Sequence, residues 1–160
     1  MCPNLIRSYE PKIRCGERIV KEKDPGKSIT LSPLVRDKSV DVEFRGDHIH
    51  IDLGKGLKVS SEQRNSLWEL IGRICEEHGT RRVLIEGTAP KGVFQTSEVI
   101  DAGLKTATVP KLWMAFCFTD FRPDEQSELF ETVAASRGVR VKFFAEAEIA
   151  LRWLRTNSPE

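Results

Sequence analysis

The sequence is short of the residues that most readily announce a catalytic centre. It holds three histidines, His48, His50 and His78, and four cysteines, Cys2, Cys15, Cys75 and Cys117. The cysteines are scattered and never form C-x-x-C. Neither a zinc knuckle nor a dithiol redox centre is therefore expected, and free thiols in a reducing cytoplasm are the plainer reading. Charge of one sign is lacking as well. Lys and Arg number 25 against 24 Asp and Glu, so no global field recommends nucleic acid or acidic lipid as a partner. Long apolar runs are missing too: a stretch such as Leu112 to Phe118 falls far short of the roughly 20 residues that a bilayer span needs. No charged-then-apolar leader precedes a small-residue cleavage site. The expectation is a soluble, cytoplasmic protein with no membrane span, no nucleic-acid partner and no cofactor.

What is present divides the chain in two. Residues 1–38 carry Pro3, Pro11, Pro25 and Pro33, the charged run KEKDPGK and only short apolar pieces. Such a segment can bury little by itself and reads as an N-terminal extension, extended or partly disordered. Residues 39–156 are long enough for one domain with its own core.

From Val40 the pattern is regular. Val40, Val42 and Phe44 alternate with charged residues, Gly46-Asp47 turns the chain, and Ile49, Ile51 and Leu53 alternate with His48, His50 and Asp52. That is a β-hairpin with one apolar face. Ser60 and Gln63 form a capping box ahead of Leu67, Leu70, Ile71, Ile74 and Cys75 at helical spacing, and Gly79 ends that helix.

Arg82 to Glu86 reads as a buried strand. Thr96 or Ser97 is the expected N-cap of a second helix with Val99, Ile100, Gly103 and Leu104 on one face. Leu112 to Phe118 is a further central strand, and Pro123 falls in the first turn of a helix carrying Leu129, Phe130, Val133 and Ala134. Val139, Val141 and Phe143 make the last strand, and Glu146 to Arg155 the last helix. The order β-β-α-β-α-β-α-β-α implies an α/β fold, with a mostly parallel sheet of four to five strands, right-handed crossovers and an antiparallel edge hairpin.

Several constellations invite a chemical reading. His48, His50 and Asp52 spell H-x-H-x-D on one side of a strand, where all three can face a common metal ion. A complete site needs more ligands than one remaining histidine supplies, so the solvated side of an edge strand is the preferred reading. Cys75 and Arg81 match the C-x5-R spacing of cysteine phosphatases, but Cys75 lies near a helix C-terminus, where the dipole opposes a thiolate. Pro25-Gly26-Lys27-Ser28 lacks the first glycine of a phosphate loop, with Lys21 in its place. The loop from Gly87 to Gln95 leaves the carboxyl end of a central strand, where open α/β sheets bind ligands. It gathers Thr88, Lys91, Gln95, Thr96 and Ser97.

On the element order, the hairpin GDHIHIDLGKGLKVSSEQ, the strand RRVLIEGT and the ending GVRVKFFAEAEIALRWL, residues 39 to 155 resemble the STAS domain of the SpoIIAA-like group. The resemblance implies a bacterial regulatory module that binds a protein partner around its second helix and is not an enzyme. In the anti-sigma antagonists of that family, a serine in a D-S-x-G turn at the start of the second helix is phosphorylated. Thr96 or Ser97 stands at the matching place and is the implied phospho-acceptor. Gln95 replaces the aspartate and the following glycine is missing, so the phosphoswitch motif is not intact and docking alone is expected. A homodimer is an open alternative. So is a lipid- or nucleotide-binding domain with Phe94, Trp113, Phe116, Phe118, Phe121 and Phe130 around a pocket, and a metal-dependent enzyme built on His48, His50 and Asp52.

Overall fold

The computed structural model describes residues 40–54, 61–89 and 94–157. The N-terminal extension, the Ser60 cap and Lys91 lie outside these residues. Five strands form one sheet in the order β1-β2-β3-β4-β5: β1 (Val40–Phe44), β2 (Ile49–Leu53), β3 (Arg82–Thr88), β4 (Trp113–Thr119) and β5 (Arg140–Phe144). β1 is antiparallel to β2, and every later pair is parallel. The helices are α1 (Ser61–His78), α2 (Thr96–Lys105), α3 (Glu125–Ser136) and α4 (Ala147–Asn157), with a 3-10 turn at Thr106–Thr108. The α/β class and the mixed sheet with an antiparallel edge strand agree with the sequence reading.

Strand order fixes where the helices go. Each parallel neighbour is reached by a crossover, and right-handed crossovers that advance in one direction stack their helices on one face. Accordingly, α1, α2 and α3 share a core with one face of the sheet, in which Leu67, Ile71, Val99, Phe130 and Ala134 meet Ile49, Ile51, Val83, Ile85 and Met114. The last described helix, α4, packs on the other face, where Ala150 and Leu154 cover Leu84, Ala115 and Cys117. Trp113, Phe144 and Trp153 extend this smaller core, with ring centroids 5.1 and 5.6 Å apart.

The ends of the elements have local causes. Gly79 (φ +62°) and Gly138 (φ +79°) close α1 and α3 in the left-handed conformation, which costs a glycine little. At α3 the N-cap is Asp124, whose Oδ1 accepts from the Ser127 N–H at 2.8 Å. Pro123 thus precedes the cap and is not part of the first turn. At α2 the N-cap is Gln95, not Thr96 or Ser97, because the Glu98 side chain reaches back to accept the Gln95 N–H at 3.0 Å. Ile100 and Leu104 also depart from expectation. Each is 38% exposed, and the inward residues of α2 are Val99, Ala102 and Gly103.

Gly103 explains that rotation. A Cβ built there would lie 2.8 Å from Val133 Cγ1 on α3, so the two helices approach as closely as a bare glycine permits. Gly103→Ala is therefore expected to destabilise the fold by roughly 1–3 kcal/mol through overpacking, and Val133→Ala in the same chain should restore most of the loss. Urea unfolding of the single and double variants checks this; additive losses would contradict it.

Candidate functional site

Two polar groupings stand out, one on each side of the sheet. The first is built on β2 and the hairpin turn. His48, His50 and Asp52 do point to one side of the strand, but the histidines are not solvated: His48 is 3% exposed and His50 7%. They are turned to different carboxylates. His48 Nδ1 meets Asp47 Oδ1 at 2.6 Å, and His50 Nε2 bonds to Glu86 of β3. Asp52 is exposed. Among the described residues, no group of three or more His, Cys, Asp and Glu is arranged to hold a metal ion.

Asp47 is the hub of this grouping. Its second oxygen accepts from Arg155 Nε of α4 at 2.7 Å, which ties the hairpin turn to the last helix. Partial burial by itself would raise the Asp47 carboxyl. The hydrogen bonds from Arg155 and His48, with the positive charge of Arg155, outweigh it and hold the group at about 2. Thr80 Oγ1 adds a 3.3 Å bond to the Asp47 carbonyl, and His78 stacks on Phe44 with centroids 4.2 Å apart, so the end of α1 grips the same hairpin.

His48 is held neutral. Burial lowers its pKa, Asp47 opposes this, and Arg155 and His50 add to the lowering. With Nδ1–H donated to Asp47, Nε2 carries a lone pair, and it is buried with no hydrogen-bond partner among the described residues. Protonation would place an unsatisfied N–H there, which is costly in the interior.

The second grouping is the carboxyl end of the parallel strands and the start of α2. Thr88 closes β3 beside Thr119 of β4, and Thr119 Oγ1 reaches the Gly87 carbonyl at 3.5 Å. Gln126 of α3 donates to the Phe94 carbonyl at 2.7 Å and so fixes the entry to α2. Gln95, Thr96 and Ser97 are exposed on the first turn, and capping engages neither hydroxyl, since Glu98 does that work. Continuing along the exposed side of α2 come Ile100, Asp101 and Leu104, at the i, i+4 spacing that makes neighbours on a helix. Exposed apolar residues thus stand beside hydroxyls that no cap engages.

The remaining candidates take other places. Phe116 is stacked on Phe143 with centroids 4.9 Å apart, and Phe118, Phe121 and Phe130 pack around that pair, so these rings fill one another's space. Trp113 lies on the opposite face. Two open hollows, of about 630 and 660 Å³, are lined by α1 with Arg81 and Thr108 to Pro110, and by the outer side of α4; none of these rings borders either one. Cys75 is buried on α1, and burial pushes its thiol up to about 11, which removes it as a nucleophile at neutral pH. Burial, with Glu86 and Glu146, raises Cys117 as well.

Sequence reasoning missed the roles of Asp47, Arg155, Ile100 and Leu104. Only the i, i+4 apolar pair on α2 offered a local signal, and there it is ambiguous with core. Comparison of the chain with protein-family models, with curated proteins and with solved structures found no match.

The hub predicts a pH dependence. Asp47 and His48 both sit below their ordinary values in the folded chain, so their contributions to stability are present above those values and are lost on acidification. His48's falls away from 6.5 downward, and Asp47's falls between 3.8 and about 2. Arg155 is largely exposed, so its ion pair is screened and worth less than about 1 kcal/mol. The stability gap between wild type and Asp47→Asn in urea unfolding should be widest at neutral pH and should close as the pH falls below 4. A gap that stays constant from pH 7 to pH 3 would contradict the assignment.

Proposed function

We propose that the chain is a non-enzymatic regulatory module that docks a protein partner on the outer surface of α2, in the manner of the STAS, SpoIIAA-like domains it resembles. The observation that carries the reading is the exposure of Ile100 and Leu104 next to Gln95, Thr96 and Ser97 on a helix whose other side is locked against α3 by Gly103. A rigid helix that presents two apolar side chains rimmed by polar ones meets the requirements of a small docking patch: preformed geometry, an apolar centre and a hydrated rim. Glu98 is held by Arg64 of α1 at 3.9 Å, and Asp101 by Lys105 one turn on. The charges beside the patch are thus largely neutralised and leave the apolar pair to dominate.

Phosphorylation is not needed for this docking. Thr96 and Ser97 are accessible, and a phosphate there would gain from the α2 N-terminus, but Glu98 already occupies that end and would repel it. The partner is bound by shape and apolar burial, and Thr88 with the strand ends beside it forms the margin of the contact.

Surface substitutions away from special features change stability by no more than about 0.5 kcal/mol, so the patch can be altered without unfolding the domain. Ile100→Glu with Leu104→Glu should leave the urea midpoint nearly unchanged. It should abolish the specific protein that wild type captures from its native cells, a loss of at least about tenfold if each residue carries an ordinary anchor's share. The same double variant should remain monomeric wherever wild type dimerises. Identical captured proteins and identical mass in solution for both forms would overturn the proposal.

A further inference from the structure

The charges of the chain nearly cancel in sum, but they are unevenly placed. Because β3, β4 and β5 are parallel, their amino ends lie side by side. The Trp113 N–H donates to the Arg81 carbonyl at 2.7 Å, and the Arg140 N–H to the Leu112 carbonyl at 2.9 Å. Arg81, Lys111, Arg137, Arg140 and Lys142 gather at this end and along β5. All five are exposed, and among the described residues none is in an ion pair. Residues 102–119 and 132–145, which build β4, β5 and the turns into them, hold two and three Lys or Arg and no Asp or Glu. Carboxylates border the patch: Glu76 shares a hollow with Arg81, and Glu131 feels the charge of Lys142.

Two ordinary causes cover part of this pattern. Arg137 is the C-cap of α3, where a cation complements the helix dipole, and a lysine on an edge strand guards against unwanted pairing. Neither accounts for what the register sets among the cations. Trp113 is paired with Arg140 on one side and Arg82 on the other. These three point to the α4 face with Lys142 and Phe144, because Val83, Met114, Val141 and Phe143 point to the main core. Trp113 is only half-buried, as is Trp153 of α4 with its ring centroid 5.1 Å away. Charge and aromatic surface thus share one row.

We propose that this patch binds single-stranded nucleic acid, with phosphates on Lys111, Arg140 and Lys142 and an unstacked base against Trp113. Exposed cations around an indole suit a flexible polyanion whose own rings are free to stack. A duplex keeps its bases stacked on one another, and half-buried rings offer little to a bilayer. The proposal goes beyond the docking surface on α2, which packs on the opposite face. The two can fail independently, since variants of the patch leave Ile100 and Leu104 untouched.

Fluorescence anisotropy of a labelled oligothymidylate of about 12 nucleotides with the full-length protein tests the proposal. A Kd of roughly 1–100 µM is expected at physiological salt, with log K falling against log salt at a slope of about −2 for three phosphate contacts. Arg140→Glu with Lys142→Glu should weaken binding by about tenfold or more, whereas Arg45→Glu with Arg122→Glu, the same charge change elsewhere, should not. Circular dichroism confirms the fold of each variant. An abasic strand of equal length should bind several-fold more weakly, and an iodouracil-substituted strand should photocrosslink in wild type to the peptide that holds Trp113. No binding at about 50 mM salt, where charge contacts are strongest, would overturn the proposal. So would equal losses in the two charge reversals, equal binding of the abasic strand, or crosslinks that avoid the Trp113 peptide. Binding to vesicles of phosphatidylserine and phosphatidylcholine without binding to the oligonucleotide would assign the patch to a membrane surface and overturn it as well.

Discussion

The advance of the strands in one direction, with every step after the first hairpin a crossover between parallel neighbours, is the constraint on which the rest of this molecule depends. It obliges α1, α2 and α3 to share one face, where their apolar stripes and the inward residues of all five strands close the main core. It also leaves α4 as the sole helical cover of the second face among the described residues, packed over β3, β4 and β5. The domain is consequently asymmetric. One face is thick and apolar; the other carries α4 and grades from Trp113, Phe144 and Trp153 into buried histidines and their carboxylate partners. On the thick side the helices are held so closely that α2 can turn only one way, and its outer edge becomes a surface. On the thin side the hairpin must be pinned by polar contacts, since little apolar material reaches it.

That pinning explains the buried histidines. A histidine at 3% exposure is tolerable only when its charge is suppressed or shared, and here Asp47 accepts a hydrogen bond from the Nδ1–H of His48 while Arg155 holds Asp47 from the far end of the chain. His50 and Glu86 repeat the device one row deeper. The polar side of β2 is thus a fastening between the hairpin, β3 and α4.

Much of the architecture was legible in the residues because period-two and period-3.6 patterns survive from Val40 onward. Ile49, Ile51 and Leu53 face the main core as their alternation implies, and Gly79 and Gly138 end helices as expected. What was not legible depends on contacts between distant residues. Alternation shows that His48 and His50 share a side, but not that a helix a hundred residues later would reach that side. The stripe Val99, Ile100, Gly103 and Leu104 is wide enough to bury either edge; only the close approach of Gly103 to Val133 decides which. Hydroxyls at Thr96 and Ser97 read as caps because capping needs no further partner, yet the carboxylate of Glu98 took that role and left them free. The second helix is therefore correctly placed in the sequence but wrongly rotated, and the rotation is what creates the candidate surface.

The proposed docking places a partner on the side of the sheet that carries α2. The chain has one more large exposed apolar residue among those described, Ile149 on α4, which belongs to the opposite face. Placing a photoreactive amino acid at position 104 in one form and at position 149 in another, and irradiating native cells that make each, compares the two faces directly. A discrete protein adduct from position 104 and none from position 149 is the predicted result; adducts from position 149 alone, or from neither position, would contradict it.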